Sequence, residues 1–190
     1  EEGEWTPGAA SRTWRHRSLV ALDDALRALG SGLVIRTGNS AQVLDEVIAH
    51  TGAVAVYWNR KYEPATQTRD AQIKRALRAR GIEAHSCNGA LLFEPWQLST
   101  QQGGPYRVFT PFWRTALTRL QLPAAMAAPR SLPALPATLR TDTLDTLQLL
   151  PRLKWDQGFW EHWHPGEAGA REMLTIFIDG ALCGYRENRD

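Results

Sequence analysis

The feature that most constrains the fold is the run Ala53-Val54-Ala55-Val56-Tyr57-Trp58, preceded by Gly52 and followed at once by Asn59-Arg60-Lys61-Tyr62-Glu63-Pro64. A continuous apolar segment of this length, closed by glycine and proline, is the pattern of a strand buried on both faces. Helical periodicity flanks it at 43–50 and 70–80. A strand between helices is the βαβ arrangement, which predicts a parallel sheet. In open sheets of that kind, ligands sit in the crevice beyond the carboxyl ends of the strands. The polar cluster 59–63 falls at that end, so the first functional expectation belongs there.

The unit of helix, glycine and strand recurs three times. Leu19, Leu22, Leu26 and Leu29 share one face of a helix capped by Ser18, broken by Gly30 and Gly32, and followed by a short strand at 33–36. Val43, Leu44, Val47 and Ile48 mark a second helix, ending at Gly52 before the central strand. Ile73, Ala76 and Leu77 mark a third, capped by Thr66 or Thr68, stopped by Gly81 and followed by a strand at 82–85. A further extended piece is expected at 89–93. Right-handed crossovers make the strands parallel, giving a doubly wound, Rossmann-like α/β sheet. With only three strands the sheet is thin, and its first strands are expected to lie upstream of this chain. The acidic, turn-rich opening Glu1-Glu2-Gly3-Glu4-Trp5 without a methionine reads the same way.

Beyond Glu94 the pattern changes. Thr110-Pro111 suits the cap and first position of a helix over 112–122. Residues 123–136 hold four prolines and five alanines, the composition of a draped linker. Leu144, Leu147 and Leu150 allow one short helix, and an aromatic stretch follows at 156–165. Ala170, Leu174, Phe177 and Ile178 then share a face of a helix over 167–180. The expected organisation is an α/β domain at 1–122, a linker at 123–165 and the first helix of an all-helical domain at 166–190.

A 43% hydrophobic, 22% charged composition describes a water-soluble globular protein, and a formal charge of +2 does not argue for nucleic acid. Seven basic residues between Arg60 and Arg80, offset by Glu63 and Asp70, fit a solvated amphipathic helix, and no direct DNA contact is expected of it. No apolar run reaches the roughly 20 residues of a membrane span, and no export signal opens the chain, so a cytoplasmic monomer is expected. Cys87 and Cys183 have no CxxC companion and are expected as buried, reduced thiols. His162 and His164 lack a third ligand at metal spacing, and no serine stands in a GxSxG elbow. Asp23-Asp24 is expected to face water.

Asn59, Arg60, Lys61, Tyr62 and Glu63 combine an amide, two cations, a phenol and a carboxylate. Such a set suits a planar heteroaromatic ligand with an acidic tail, Glu63 and Asn59 meeting ring nitrogens and Arg60 or Lys61 the anion. It equally suits an ordinary solvated loop. Trp58 fits either a stacking wall or a core. Arg36-Thr37-Gly38-Asn39-Ser40 could cradle an anion on helix amides or serve only as a cap; it lacks dinucleotide and P-loop spacing. The ligand set expected from position is Arg36, Trp58, Asn59, Lys61, Tyr62 and Glu63.

Three strings carry a resemblance: 57–64 (Tyr-Trp-Asn-Arg-Lys-Tyr-Glu-Pro), 88–96 (Asn-Gly-Ala-Leu-Leu-Phe-Glu-Pro-Trp) and 106–114 (Tyr-Arg-Val-Phe-Thr-Pro-Phe-Trp-Arg), supported by 14–19, 166–170 and 184–190. In this order they resemble the DNA photolyase and cryptochrome family along nearly the whole chain. The resemblance implies an N-terminal α/β domain for an antenna chromophore of folate, deazaflavin or flavin type, and a helical domain for FAD and UV-damaged DNA. It implies a deoxyribodipyrimidine photo-lyase, in which excitation reaches reduced FAD, an electron passes to a cyclobutane pyrimidine dimer and the ring splits. A cryptochrome-type light sensor or interaction domain without repair is the alternative. The family's first two strands and all but the start of its helical domain have no counterpart in this sequence. The catalytic FAD site is therefore expected outside it, with antenna binding as the most this piece does.

Overall fold

The computed structural model describes residues 6–122 and 124–189. The acidic opening, the first linker residue Pro123 and the terminal Asp190 lie outside the described residues. The chain forms two compact units, one from Ala53–Ala128 and one from the stretch ending at Gly52 together with the chain from Pro129 onward.

The first unit is α/β. Strand β1 (Ala55–Asn59) pairs in parallel with β2 (Glu83–Cys87), in the register Ala55 to Glu83 through Asn59 to Cys87. The ladder is extended by Glu83 N–H to the Val54 carbonyl at 2.9 Å and by Arg60 N–H to the Cys87 carbonyl at 2.8 Å. Helix α3 (Pro64–Ala79) makes the crossover, its Leu77 packed as deeply as Ala84 of β2. Glu63, not Thr66 or Thr68, is the residue before the first turn. Pro64 decides this, because its φ is preset for a helix and its missing N–H would have been unpaired there anyway. Thr66 then lies inside the helix and donates to the Glu63 carbonyl at 2.9 Å.

Residues 89–93 are bends rather than a strand. Asn88 accounts for this: its Oδ1 accepts from the amides of Ala90 and Leu91, at 3.1 and 2.9 Å, and so competes with any ladder. Helix α4 (Phe109–Arg119) starts ahead of the expected Thr110-Pro111 entry and stops short of 122. Pro111 is tolerated within the first turn, where amides have no intrahelical acceptor.

In the second unit, helix α1 (Ala9–Ala28) begins well before Ser18. Its first turns are held by aromatic packing. Trp14 meets Trp160 and Trp163 with centroids 6.3 and 6.1 Å apart, Arg17 lies over Trp160 at 4.9 Å, and Thr13 is fully buried. Helix α2 (Ser40–Thr51) is capped by Asn39, whose side chain accepts from the amides of Ala41 and Gln42, and ends on Gly52 at φ 65.

The expected strand at 33–36 does not form. No described strand pairs with this segment; side chains and the later chain take its polar groups instead. Leu33 N–H donates to Asp23 at 2.8 Å, Ile35 N–H to Thr141 at 2.9 Å, and the Ile35 carbonyl accepts from Asp142 N–H at 2.7 Å. Asp23 is thus a structural acceptor and not a freely solvated charge. The Leu33 amide, then the Arg27 guanidinium, hold its carboxyl below the usual range against the opposing pull of desolvation.

The later chain of this unit contains a 3-10 turn at Leu144–Leu147 and another at Gln157–Glu161. Helix α5 (Glu167–Ile176) widens into a π-turn at Phe177–Ala181, and a short α6 (Tyr185–Asn188) follows. Both cysteines are free and exposed, not buried: Cys87 ends β2, and Cys183 follows the π-turn. No described helix is long and apolar enough to cross a membrane, and no described group of three or more His, Cys, Asp or Glu could hold a metal ion.

Candidate functional site

The carboxyl ends of β1 and β2 open into a cleft of about 370 Å³ within the first unit. Alternation along β1 decides what enters it. Trp58 and Arg60 face the cleft, while Asn59 between them points the other way. The Asn59 amide instead covers Gly89, where an added Cβ would come within 2.5 Å of it. Gly89 is therefore a close-approach glycine.

Glu94 organises one side of the cleft. It is only 7% exposed, and its carboxylate takes one oxygen to the Arg60 guanidinium and the other to the Tyr62 hydroxyl at 2.7 Å. Arg60 also donates to the Ser86 carbonyl at 2.6 Å and lies over the Trp96 ring, 5.0 Å from its centroid. Desolvation, then the bond to Glu94, raises Tyr62 above the usual phenol value. Desolvation pulls Arg60 down, but the bond to Glu94 and the facing charges leave it above its ordinary value. A buried carboxylate thus fixes a guanidinium and a phenol at the rim.

Helix α3 supplies the other side. Gln67, Asp70 and Lys74 recur on one face and line the cleft. Lys74 donates to the Ser86 hydroxyl at 3.0 Å and stands 5.9 Å from the centroid of Trp58. Asp70 is paired with Arg69. The indole N–H of Trp58 is buried and has no acceptor among the described residues. Lys61 lines the cleft and also acts through its charge on the neighbouring Glu63 carboxylate. The chemistry on offer is two aromatic faces, an unmet indole donor, and cations in excess of the one lining carboxylate.

The structure brings Trp58, Lys61 and Tyr62 of the expected set together, and leaves three members elsewhere. Glu63 accepts from its own Thr66 hydroxyl at 3.1 Å, and its carboxyl is held below the usual range by its own backbone amide first and Thr66 second. Asn59 lies on the opposite face of β1. Arg36 belongs to the second unit and pairs with Glu46. Sequence reasoning passed over Lys74, Ser86, Trp96 and the Glu94 anchor. The spacing of Gln67, Asp70 and Lys74 was the available signal, but a polar stripe on an amphipathic helix also describes a solvated face.

The family description for DNA photolyase matches residues 1–136. The chain is 44% identical to a deoxyribodipyrimidine photo-lyase of Agrobacterium fabrum, over 96% of this chain and 38% of that one. It is 34% identical to cryptochrome-2 of Arabidopsis thaliana, over 99% of this chain and 32% of that one. The crystal structure of a bacterial class III photolyase from Agrobacterium tumefaciens superposes with a TM-score of 0.89 at 42% identity, over 96% of this chain and 38% of that one. A Synechocystis cryptochrome shares the fold, with a TM-score of 0.78 at 22% identity. The chain therefore spans less than half the length of these relatives. Matched in this way by family, sequence and backbone, it belongs to the DNA photolyase and cryptochrome family, whose N-terminal α/β architecture it shares.

Proposed function

We propose that this chain is the antenna-bearing part of a deoxyribodipyrimidine photo-lyase, and that its aromatic cleft takes a planar, anionic chromophore of folate, deazaflavin or flavin type. What supports the enzyme reading over a cryptochrome-type sensor is the 44% identity to a protein of that name, against 34% for a plant cryptochrome. Light-driven repair of cyclobutane pyrimidine dimers, with FAD and damaged DNA held by a helical domain, is proposed for the whole protein. In it, residues 1–122 form the doubly wound antenna domain, 123–165 the linker and 166–190 the entry to the FAD-binding domain.

The residues of the cleft fit such a group. Trp58 and Trp96 offer flat faces, each already met by a cation, and the unpaired Trp58 N–H offers a donor to a ring or carbonyl acceptor. Lys61 and Lys74 receive a carboxylate or phosphate tail, since Arg60 is already committed to Glu94. When bound, the chromophore absorbs near-ultraviolet or blue light and passes the excitation on. The protein's part is to hold it flat, orient it through Tyr62 and Lys74, and keep water from its face.

The test is the absorbance of the purified whole protein with Lys74→Ala, Trp96→Ala and Glu63→Ala. Loss of the antenna band in the first two variants, with FAD retained, is the expected result. Loss in Glu63→Ala alone would move the ligand to the opposite face of β1, with Asn59 and Glu63. An intact antenna with no repair of a dimer-bearing oligonucleotide would favour the sensor.

A further inference from the structure

A second cavity, of about 590 Å³, lies wholly within the second unit, between α1 and the chain that leaves the 3-10 turn Leu144–Leu147. Its wall is mixed. Arg12 and His16 come from successive turns of α1 and share a face, and Asp145, Gln148, Leu149 and Arg152 come from the later segment. The segment is short on regular structure, yet it puts an amide, a carboxylate, a guanidinium and leucine surface on one wall.

Three observations point to a ligand. First, neither ring nitrogen of His16 bonds to a described residue, and Nδ1 is buried. A proton on Nδ1 would be a buried donor with no acceptor, so the neutral ring keeps its proton on Nε2, free to donate to a ligand oxygen. Second, among the described residues Arg152 has no ion-pair or hydrogen-bond partner, and Arg12 reaches only the Pro7 carbonyl at 3.5 Å, a long contact. Two guanidinium groups facing one carboxylate leave positive charge unspent on a concave surface. Third, Gln148 is the one described non-glycine residue with positive φ, at 48. Glycine is the usual occupant of such a turn. The glutamine there places an amide on the cavity wall that a glycine would not supply.

We propose that this cavity is a binding site for a phosphomonoester of roughly nucleotide size. The phosphate meets Arg12, His16 Nε2 and Arg152; hydroxyl or amino groups donate to Asp145 and are bridged by Gln148; the organic body covers Leu149. The size is in the range of small-molecule sites and well above that of a bare phosphate. With cations only at Arg12 and Arg152, the cavity suits a small molecule better than a nucleic-acid backbone, which needs a longer track of cations. The site lies in a different unit from the aromatic cleft and does not rest on the function proposed for it.

Isothermal titration calorimetry of the purified whole protein decides the matter, with adenosine 5′-monophosphate, adenosine and inorganic phosphate as probes. The monophosphate binds, inorganic phosphate competes weakly, and adenosine does not bind detectably. Arg12→Gln and Arg152→Gln each weaken the monophosphate by about tenfold or more, the loss expected for a charge-assisted hydrogen bond. Should either arginine variant fail to fold, Gln148→Gly keeps the test alive. It relieves the positive φ, folds at least as well as wild type, and still binds more weakly. Absence of monophosphate binding overturns the proposal. So does binding that ignores all three substitutions, that is lost in Lys74→Ala instead, or that is no tighter than for a duplex oligonucleotide of equal charge.

Discussion

Replacing Glu94 tests whether one buried carboxylate organises the cleft. Glu94→Ala removes the acceptor of both the Arg60 guanidinium and the Tyr62 hydroxyl. The Tyr62 hydroxyl loses its charged acceptor. A fully buried ion pair broken on one side costs about 3–5 kcal/mol. Arg60 loses less than that, because its side chain is 26% exposed and it keeps the Ser86 carbonyl and the Trp96 ring. The expected loss is therefore about 3 kcal/mol in all. Glu94→Gln retains one acceptor and the shape, and loses about 1–2 kcal/mol. Hydrogen exchange read on peptides from Ala53–Ala128 reports this unit without assuming that the whole chain unfolds in one step. The same variants carry a second readout. Burial and Glu94 together raise the Tyr62 phenol, so this contribution to stability is complete below the ordinary tyrosine value and fades as pH rises through the raised one. An ultraviolet tyrosine titration of Glu94→Ala should show its last-ionising group moving back toward the ordinary value. A stability loss under about 1 kcal/mol for Glu94→Ala, or equal losses for alanine and glutamine, would refute the reasoning.

Two further substitutions probe the second unit. Gly169→Ala should destabilise by about 3 kcal/mol in thermal or urea unfolding, although alanine is the better helix former, because the added Cβ falls on the His164 carbonyl oxygen. A neutral or stabilising result would mean that α5 does not sit against that carbonyl. Asp23→Asn should cost about 1 kcal/mol near neutral pH and nothing in strong acid. The depressed carboxyl of Asp23 contributes above its ordinary value, and that contribution disappears as pH falls through the lowered one. Acid-unfolding curves of the two proteins should therefore converge at low pH, and parallel curves would contradict the pairing with Leu33 and Arg27.

Much of the first unit was legible in the chain itself. The run 53–58 announces a strand, and β1 forms there at Ala55–Asn59, but the expected burial on both faces is not met: Val54 and Tyr57 are exposed, because a sheet with two described strands leaves one face of β1 uncovered. The parallel pairing of β1 with β2 follows, because an intervening helix leaves no room for a hairpin. The family strings are equally local, being short runs of specific residues in a given order. Residues 33–36 show where local pattern stops being sufficient. Their composition suits a strand, but a strand exists only with a neighbour to bond. Asp23, Thr141 and Asp142, distant in sequence, take those polar groups instead. The cleft divides in the same way. Position in the chain pointed to 58–63, whereas pleating decided that Trp58 and Arg60 face inward and Asn59 does not. Glu94, Trp96, Lys74 and Ser86 joined them only because α3 and the turn after β2 fold back over the strand ends. Strand periodicity is a property of neighbours along the chain, so the sequence by itself determines it. The partner of a buried carboxylate or an unpaired cation lies across space, and only the tertiary structure selects it.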